Sequence, residues 1–388
     1  MEIIVKVGGM VAKFVTQYVG NNLSDTSNAS WGADNELFQL TGPGDKSVNA
    51  GVGNDFIADY GYSGNDYVVG GYGSDLIKTG SGNDVVFGGT LITNSSLDDA
   101  DFIVTGSGND FVFAGSGNDW VNGEGNDDYI HAGTGDDTVI GGLGSDSIWG
   151  GEGNDVLYAG VEGASTPISN VGVTLYYDGV SNNWLSSSFS ASSLSNLGAG
   201  YLTATADGSS NYIDASSGND LVVGSAGNDA LLGGMGLDTI LGGDGTDGID
   251  GGGDRDIIDA GAGNDYVLAG AGNDYVDGSD GNDEIFGEDG DDLIISGKGN
   301  GVLYGGDGSD IFYFRPGDGG DVIMDFVAGS KADAIALAGT GLSSFAEVQS
   351  RLGYFAAGNA TFLQIGSDQI FFSGITPGQL DASDFLFF

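Results

Sequence analysis

The sequence predicts an all-β fold made by repeating one short unit, and three observations point to it. Aspartate recurs every nine residues over long stretches, glycine supplies 76 of the 388 residues, and a large apolar residue follows the aspartates two positions on. A fixed short period marks a solenoid, in which each unit buries its apolar face only against its neighbours. Composition narrows the function. Asp and Glu total 56 against 9 Lys and Arg, for a formal charge of −47, and only 8 of those acids are Glu. With 40% hydrophobic and 10% aromatic residues the chain is too apolar for a disordered acidic tail, so core material is present although the charge opposes compaction. Nucleic acid and anionic membrane surfaces need clustered Lys and Arg and are excluded as partners. The partner that fits this charge is a cation. With no Cys and a single His, His131, disulfides, thiolate sites and ordinary zinc sites are removed, which leaves oxygen ligands.

The period can be followed residue by residue. Asp110, Asp119, Asp128, Asp137, Asp146 and Asp155 stand nine apart, preceded by Asp55, Asp66, Asp75, Asp84 and Asp101 at spacings of 11, 9, 9 and 17. A second block holds Asp220, Asp229, Asp238, Asp247, Asp256, Asp265, Asp274, Asp283 and Asp292, then Gly301 in place of the next, then Asp310. The units read GGLGSDSIW (141–149), GGEGNDVLY (150–158), GGMGLDTIL (233–241) and GGDGSDIFY (305–313). A three-residue strand alternates out, in, out, which directs Ile148, Leu157, Ile240, Ile257, Val267, Val276 and Ile285 inward.

These units resemble the GGxGxDxUx nonapeptide of the RTX (repeats-in-toxin) proteins, U being a large apolar residue. The resemblance implies a calcium-loaded parallel β-roll in which each unit forms a half-turn, six residues making a calcium-binding turn and three a short strand. All the aspartates named above become metal ligands on this reading, and 18 residues make one coil. Calcium takes about six to eight oxygens, more than one Asp and a few carbonyls of a single turn supply. Neighbouring coils are therefore expected to share each ion through pairs such as Asp110 with Asp128, Asp119 with Asp137, Asp220 with Asp238 and Asp229 with Asp247. Such pairing gives roughly a dozen calcium ions. Ion binding and folding then become one event, because the aligned carboxylates repel without the metal. Gly301 predicts weak or empty sites, and Asn211 stands where the second block wants its first Asp. In GEGNDDYIH (123–131), Asp127 fits the local motif and Asp128 keeps the register, so both remain candidates.

The repeats divide the chain. Residues 1–48 carry the apolar stretch IIVKVGGMVAKFVTQYV and the strand-like ELFQL, and read as an N-terminal cap or an assembly segment. A first roll occupies 49–158 and a second 211–318. Between them a Ser-rich insertion, 159–210, abandons the period and contains strand-like VGVTLYYD and YLTATAD; it packs on the roll or docks a partner. A shorter excursion, 89–100, reads as a surface loop. Residues 319–388 form a small C-terminal cap, with a helix predicted over LSSFAEVQSRL by the capping-box spacing of Ser344 and Glu347, then strands TFLQI and QIFF. The ending Asp384-Phe385-Leu386-Phe387-Phe388 resembles the uncleaved C-terminal signal of type I exported RTX proteins, and the first 19 residues, which carry Glu2, Lys6 and Lys13, lack the long uncharged run of a secretory leader.

Enzymatic chemistry finds no support in the sequence. It contains no HExxH and no GxSxG, a triad would have to be built on His131 alone, and none of the many periodic aspartates stands out as a glycosidase pair. The stretch 277–288 has the first Asp and twelfth Glu of an EF-hand loop but places Asn282 where Gly is required. The chain is thus expected to be a secreted or cell-surface calcium-binding structural protein, not an enzyme, with no membrane span. The expected partners are calcium, the type I export machinery, further copies of itself through outward aromatics such as Trp120, Tyr129, Trp149 and Tyr158, and a cell surface or acidic polysaccharide. The alternative is a soluble secreted protein that binds calcium or polysaccharide without assembling.

Overall fold

The computed structural model describes residues 2–7, 10–19, 25–27, 36–40, 43–59, 63–89, 100–160, 208–329 and 333–388. The chain winds into a parallel β-solenoid of about 12 turns. Every nine-residue unit ends in a short strand, and alternate units lay their strands in two facing sheets. In the first sheet Glu36–Leu40 pairs with Phe56–Asp59, which pairs with Leu76–Ser81, and so on in parallel to Ile311–Phe314 and Ala334–Leu337. In the second, Lys46–Val52 pairs with Tyr67–Tyr72 and the ladder continues to Val302–Asp307 and Gly320–Ile323. The coil starts before residue 49, because Met10–Val19 and Asp25–Ser27 already pair in parallel with Glu36–Leu40 and Lys46–Val52. Glu2–Val7 folds back antiparallel on Met10–Val19 and finishes that end of the first sheet.

One side chain per strand fills the space between the sheets. Ile103, Val112, Val121, Ile130, Val139, Ile148 and Leu157 are all fully buried, as are Ile240, Val267, Val276 and Ile285. Ile257 is a correction: it is half-buried on the outside and Ile258 takes the inward place. Alternation along a strand is strict, so a one-residue error exchanges core for surface. The outward positions carry aromatic stacks running along the solenoid, including Phe102 on Trp120 at 4.2 Å, Tyr129 with Trp149 at 4.5 Å and Phe286 on Tyr304 at 4.4 Å. Tyr158 also faces outward, yet it is buried in a second cluster with Ile140 and Val223.

The two blocks of repeats form one ladder in space. Ser147–Glu152 pairs with Tyr212–Ser217, and Val156–Gly160 with Leu221–Val223, so the coil resumes in register after the insertion. The predicted strands of that insertion lie outside the described residues. At the far end, Ala360–Ile365 and Asp368–Ser373 form a hairpin that joins the second sheet, and Phe385–Phe387 adds a parallel strand to the first beside Ala334–Leu337. The predicted helix is short, Phe345–Gln349, and its capping box does not form. Ser344 makes no side-chain cap bond, and Glu347 instead accepts from the N–H and hydroxyl of Ser343.

Candidate metal centres in the turns

The unit 150–158 shows how a turn is built. Gly151 and Gly153 have φ of +120° and +135°, values beyond the reach of most side chains. The positive φ values turn the chain sharply while stacking carbonyl on carbonyl. A Cβ added to Gly151 would overlap the carbonyl oxygen of Gly133 in the previous coil, and one on Gly153 that of Gly135. A Cβ on Gly150 would overlap Asp155 Oδ2 and lie 3.0 Å from the Ala215 carbonyl oxygen of the next coil. The missing side chains therefore leave a cradle walled by backbone carbonyls and one carboxylate.

The aspartates line up along two edges of the solenoid. On the edge leading from the second sheet to the first, the backbone N–H of each Asp donates to Oδ1 of the Asp one coil later. The chain of bonds runs Asp55, Asp75, Asp101, Asp119, Asp137, Asp155, Asp220, Asp238, Asp256, Asp274, Asp292, Asp310 and Asp333, at 2.6 to 3.2 Å. The opposite edge carries Lys46, Asp66, Asp84, Asp110, Asp128, Asp146, Asn211, Asp229, Asp247, Asp265 and Asp283 in the same relation, then Gly301 and Asp321. The bonded Oδ1 orients each carboxylate and leaves Oδ2 facing the cradle. In Asp128, Asp137, Asp155, Asp220, Asp238, Asp247, Asp256, Asp265, Asp274, Asp283, Asp292 and Asp310 this Oδ2 is buried with no hydrogen-bond partner.

A buried acceptor without a donor is costly, and twelve at one register position mark a place for something positive. The donor set fits calcium. All the converging atoms are hard oxygens, drawn from carboxylates of adjacent coils and from stacked carbonyls, and the open-ended cradle suits a large, irregular coordination shell better than a small octahedral one. Among the described residues no three acidic or imidazole side chains converge on one point, so an ion here would depend on the backbone carbonyls. A calcium ion would supply positive charge that binds adjacent coils together.

Electrostatics agree with this reading. Burial pushes Asp66 up to about 7, Asp128, Asp137 and Asp292 up to about 8 and Asp256 up to about 9; the backbone N–H bond to each opposes the rise, and neighbouring carboxylates add to it. A carboxyl whose pKa is higher folded than unfolded binds more protons in the folded state. The ion-free fold accordingly loses stability as pH climbs from about 4, the unfolded value, to about 9. Urea midpoints in excess chelator are expected to fall from pH 5 upward until the ion-free fold is lost near neutral pH, and a midpoint that rises instead contradicts the burial of these groups. Calcium held by these carboxylates would displace the same protons, so its apparent affinity is expected to move the other way and strengthen with pH.

The structure sorts the predicted ligands. Asp128 lies buried in the column, whereas Asp127 is exposed and its Oδ1 accepts from the N–H of Ser145, so of the two candidates it is Asp128 that shares the column's register. Asp127 belongs to a separate outer ladder at the preceding position. There an Asn or Asp side chain accepts from the N–H one coil later, as in Asn83 to Asn65 at 2.9 Å and Asn282 to Asn264 at 2.8 Å. Asp229 differs from its neighbours because both its oxygens are filled: Oδ1 by the N–H and Nδ2 of Asn211, Oδ2 by the N–H and hydroxyl of Ser225. Gly301 supplies no carboxylate, and its N–H donates to Asp321 Oδ1 at 2.9 Å. Asp321 and Asp333 continue the two edges but escape a nine-residue count, since they follow residues 301 and 310 by 20 and 23 positions.

Other polar groups lie outside the turns. His131 faces outward beside the ring of Phe113, and 277–288 forms part of a repeat turn and a strand. On the outer face of the first sheet, Asp259, Tyr275, Asp277, Lys298 and Arg315 line a cavity of about 500 Å³, where burial and then the charge of Asp259 push Asp277 up to about 6. Among the described residues no helix is long and apolar enough to cross a membrane.

Comparison with known proteins agrees with the geometry. The RTX calcium-binding nonapeptide repeat matches residues 60–90, 96–130, 131–161, 205–240, 232–267, 241–276, 268–303 and 286–323. No curated protein matches the chain. Among solved structures, the extracellular lipase LipA from Serratia marcescens aligns with 78% of this chain and 44% of its own, at 15% identity and a TM-score of 0.22, a likeness too slight to bear on activity. With a repeat match spanning more than half of its residues and a parallel β-solenoid of aspartate-lined turns, the chain belongs to the RTX calcium-binding repeat family.

Proposed function

We propose that this is a secreted structural protein that folds as calcium fills its turns outside the cell and then associates with further copies of itself in a surface layer, filament or matrix. The observation that carries this reading is the unbroken column of buried aspartates from Asp55 to Asp333, a scaffold whose length is set by stacked ion-ready turns. Roughly a dozen ions, each shared by an aspartate pair one coil apart, would stiffen it. The aspartates predicted from the sequence, with Asp128 in place of Asp127 and without Asp229, whose two oxygens are already filled, are the proposed ligands. Outer-face aromatics support lateral association: Tyr67, Phe102, Phe111 and Tyr266 are 39 to 48% exposed. Export by a type I route is proposed from the sequence of the C-terminal region, whose strand Phe385–Phe387 pairs in parallel with Ala334–Leu337. An acidic polysaccharide or cell surface is a further proposed partner, bridged through calcium.

Light scattering and electron microscopy of the purified chain with and without millimolar calcium test the assembly. Ordered polymers that dissolve in chelator are expected. A monomer that persists in calcium removes the structural role and leaves the soluble binding protein.

A further inference from the structure

The edge that leads from the first sheet to the second breaks its own pattern at Gly301, which supplies no carboxylate, and at two further turns where a side chain supplies a donor instead. Lys46 occupies the register of an aspartate, since its N–H donates to Asp66 Oδ1 at 2.8 Å as that of Asp66 does to Asp84 Oδ1. Its side chain is 3% exposed, and Nζ donates at 2.6 Å to the carbonyl of Gly44, a carbonyl of the kind that walls the other cradles. Asp59, in place of the glycine that opens most units, puts Oδ2 4.0 Å from the same ammonium. A positive charge thus already sits among these carboxylates. A dication beside it would meet strong repulsion in a buried setting.

The second break is at Asn211. Its side chain is neutral, and Nδ2 donates to Asp229 Oδ1 at 3.2 Å and to Ser225 Oγ at 3.1 Å. Ser225 in turn donates to Asp229 Oδ2 through its N–H at 2.7 Å and its hydroxyl at 3.1 Å. In Asp220, on the other edge, and Asp247, one coil on, the corresponding Oδ2 has no such donor. The Asn211 turn has therefore spent the acceptors an ion would need.

We infer that these two turns hold no calcium and are closed by the protein's own donors, the Lys46 ammonium in one and the Asn211 and Ser225 groups in the other. The inference rests on the proposal that the regular aspartate turns hold calcium. One edge is then a continuous line of ions, while the other, already short of a carboxylate at Gly301, is also broken at Lys46 near the start of the coil and where the second block of repeats stacks on the first. At both turns the chain itself supplies the donors, so neither turn depends on calcium for its partners.

Native mass spectrometry at saturating calcium reads the ion count of the full chain, wild type and variant. Asn211→Asp is expected to gain at least one ion, and Lys46→Asp likewise, while Lys46→Met gains none. Wild type with no bound calcium would defeat the calcium proposal itself. Wild type that binds calcium with an unchanged count in Asn211→Asp overturns this inference alone. If the variants do not fold, the anomalous difference map of calcium-loaded wild-type crystals decides. Peaks between regular aspartate pairs and none between Lys46 and Asp66 or Asn211 and Asp229 support the inference; a peak at either of those turns overturns it.

Discussion

At pH 7.5 in excess EGTA the chain is expected to lose its β-sheet circular dichroism and to expand toward the roughly 70 Å radius of gyration of an unfolded chain of this length. The reason is the balance along each edge. Carboxylates such as Asp128, Asp137, Asp256 and Asp292 are buried within their columns, and burial raises each of them to about 8 or 9. Near neutral pH, folding without the ion demands either that these groups take up protons or that bare charges stack on one another. The apolar interior consists of little more than one large side chain per strand, such as Ile130, Val139 and Ile148, and it cannot offset that repulsion along the whole coil. Calcium restores both signals in one cooperative step, whereas magnesium restores them poorly because it gives up water reluctantly. X-ray scattering and circular dichroism during a calcium titration measure both effects. Full compactness in chelator at this pH would show that the turns need no ion.

Substituting one glycine separates the turn from the strand. Gly151→Ala places a methyl group against the Gly133 carbonyl oxygen at a φ of +120°, which is far from the left-handed values of about +70° to +80° that Glu124 and Asn126 adopt in their own turn. Strain of this kind costs about 1 to 3 kcal/mol, and the overlap distorts the cradle as well, so the calcium midpoint for folding is expected to rise several-fold. Gly125→Ala is the control. Its nearest neighbour is the Cβ of Leu143 at 4.0 Å, and an effect within about 0.5 kcal/mol is expected. Equal midpoints for the two variants would mean that carbonyl stacking across coils is not what requires glycine.

The site was legible where its chemistry repeats. Aspartate at one position in nine, with an apolar residue two places later, marks both the ligand columns and the core, because each coil meets the next at a constant separation of 18 residues. Legibility fails where the interval changes or the residue type does. Asp321 and Asp333 were hidden by longer connections, and Lys46 gives no sign in the sequence that it stands in an aspartate column. The Asp256-Ile257-Ile258 run shows the other weakness, since two adjacent isoleucines look equally able to face inward and only the strand register separates them.

By itself the sequence determined the repeat, the all-β solenoid, the aspartate columns of the regular units and the family, because all of these depend on contacts within a unit or between units one coil apart. Only the tertiary structure decided that the two blocks make one ladder. The bond from the Asp146 N–H to Asn211 Oδ1 spans 65 residues, and no local period encodes it. Stacking likewise placed Asp128, and not Asp127, in the buried column and brought Ser225 and Asn211 together on Asp229. The physical reason is common to these cases: a parallel coil sets the surroundings of each side chain by the residue above and below it, and which residue that is depends on every connection between them.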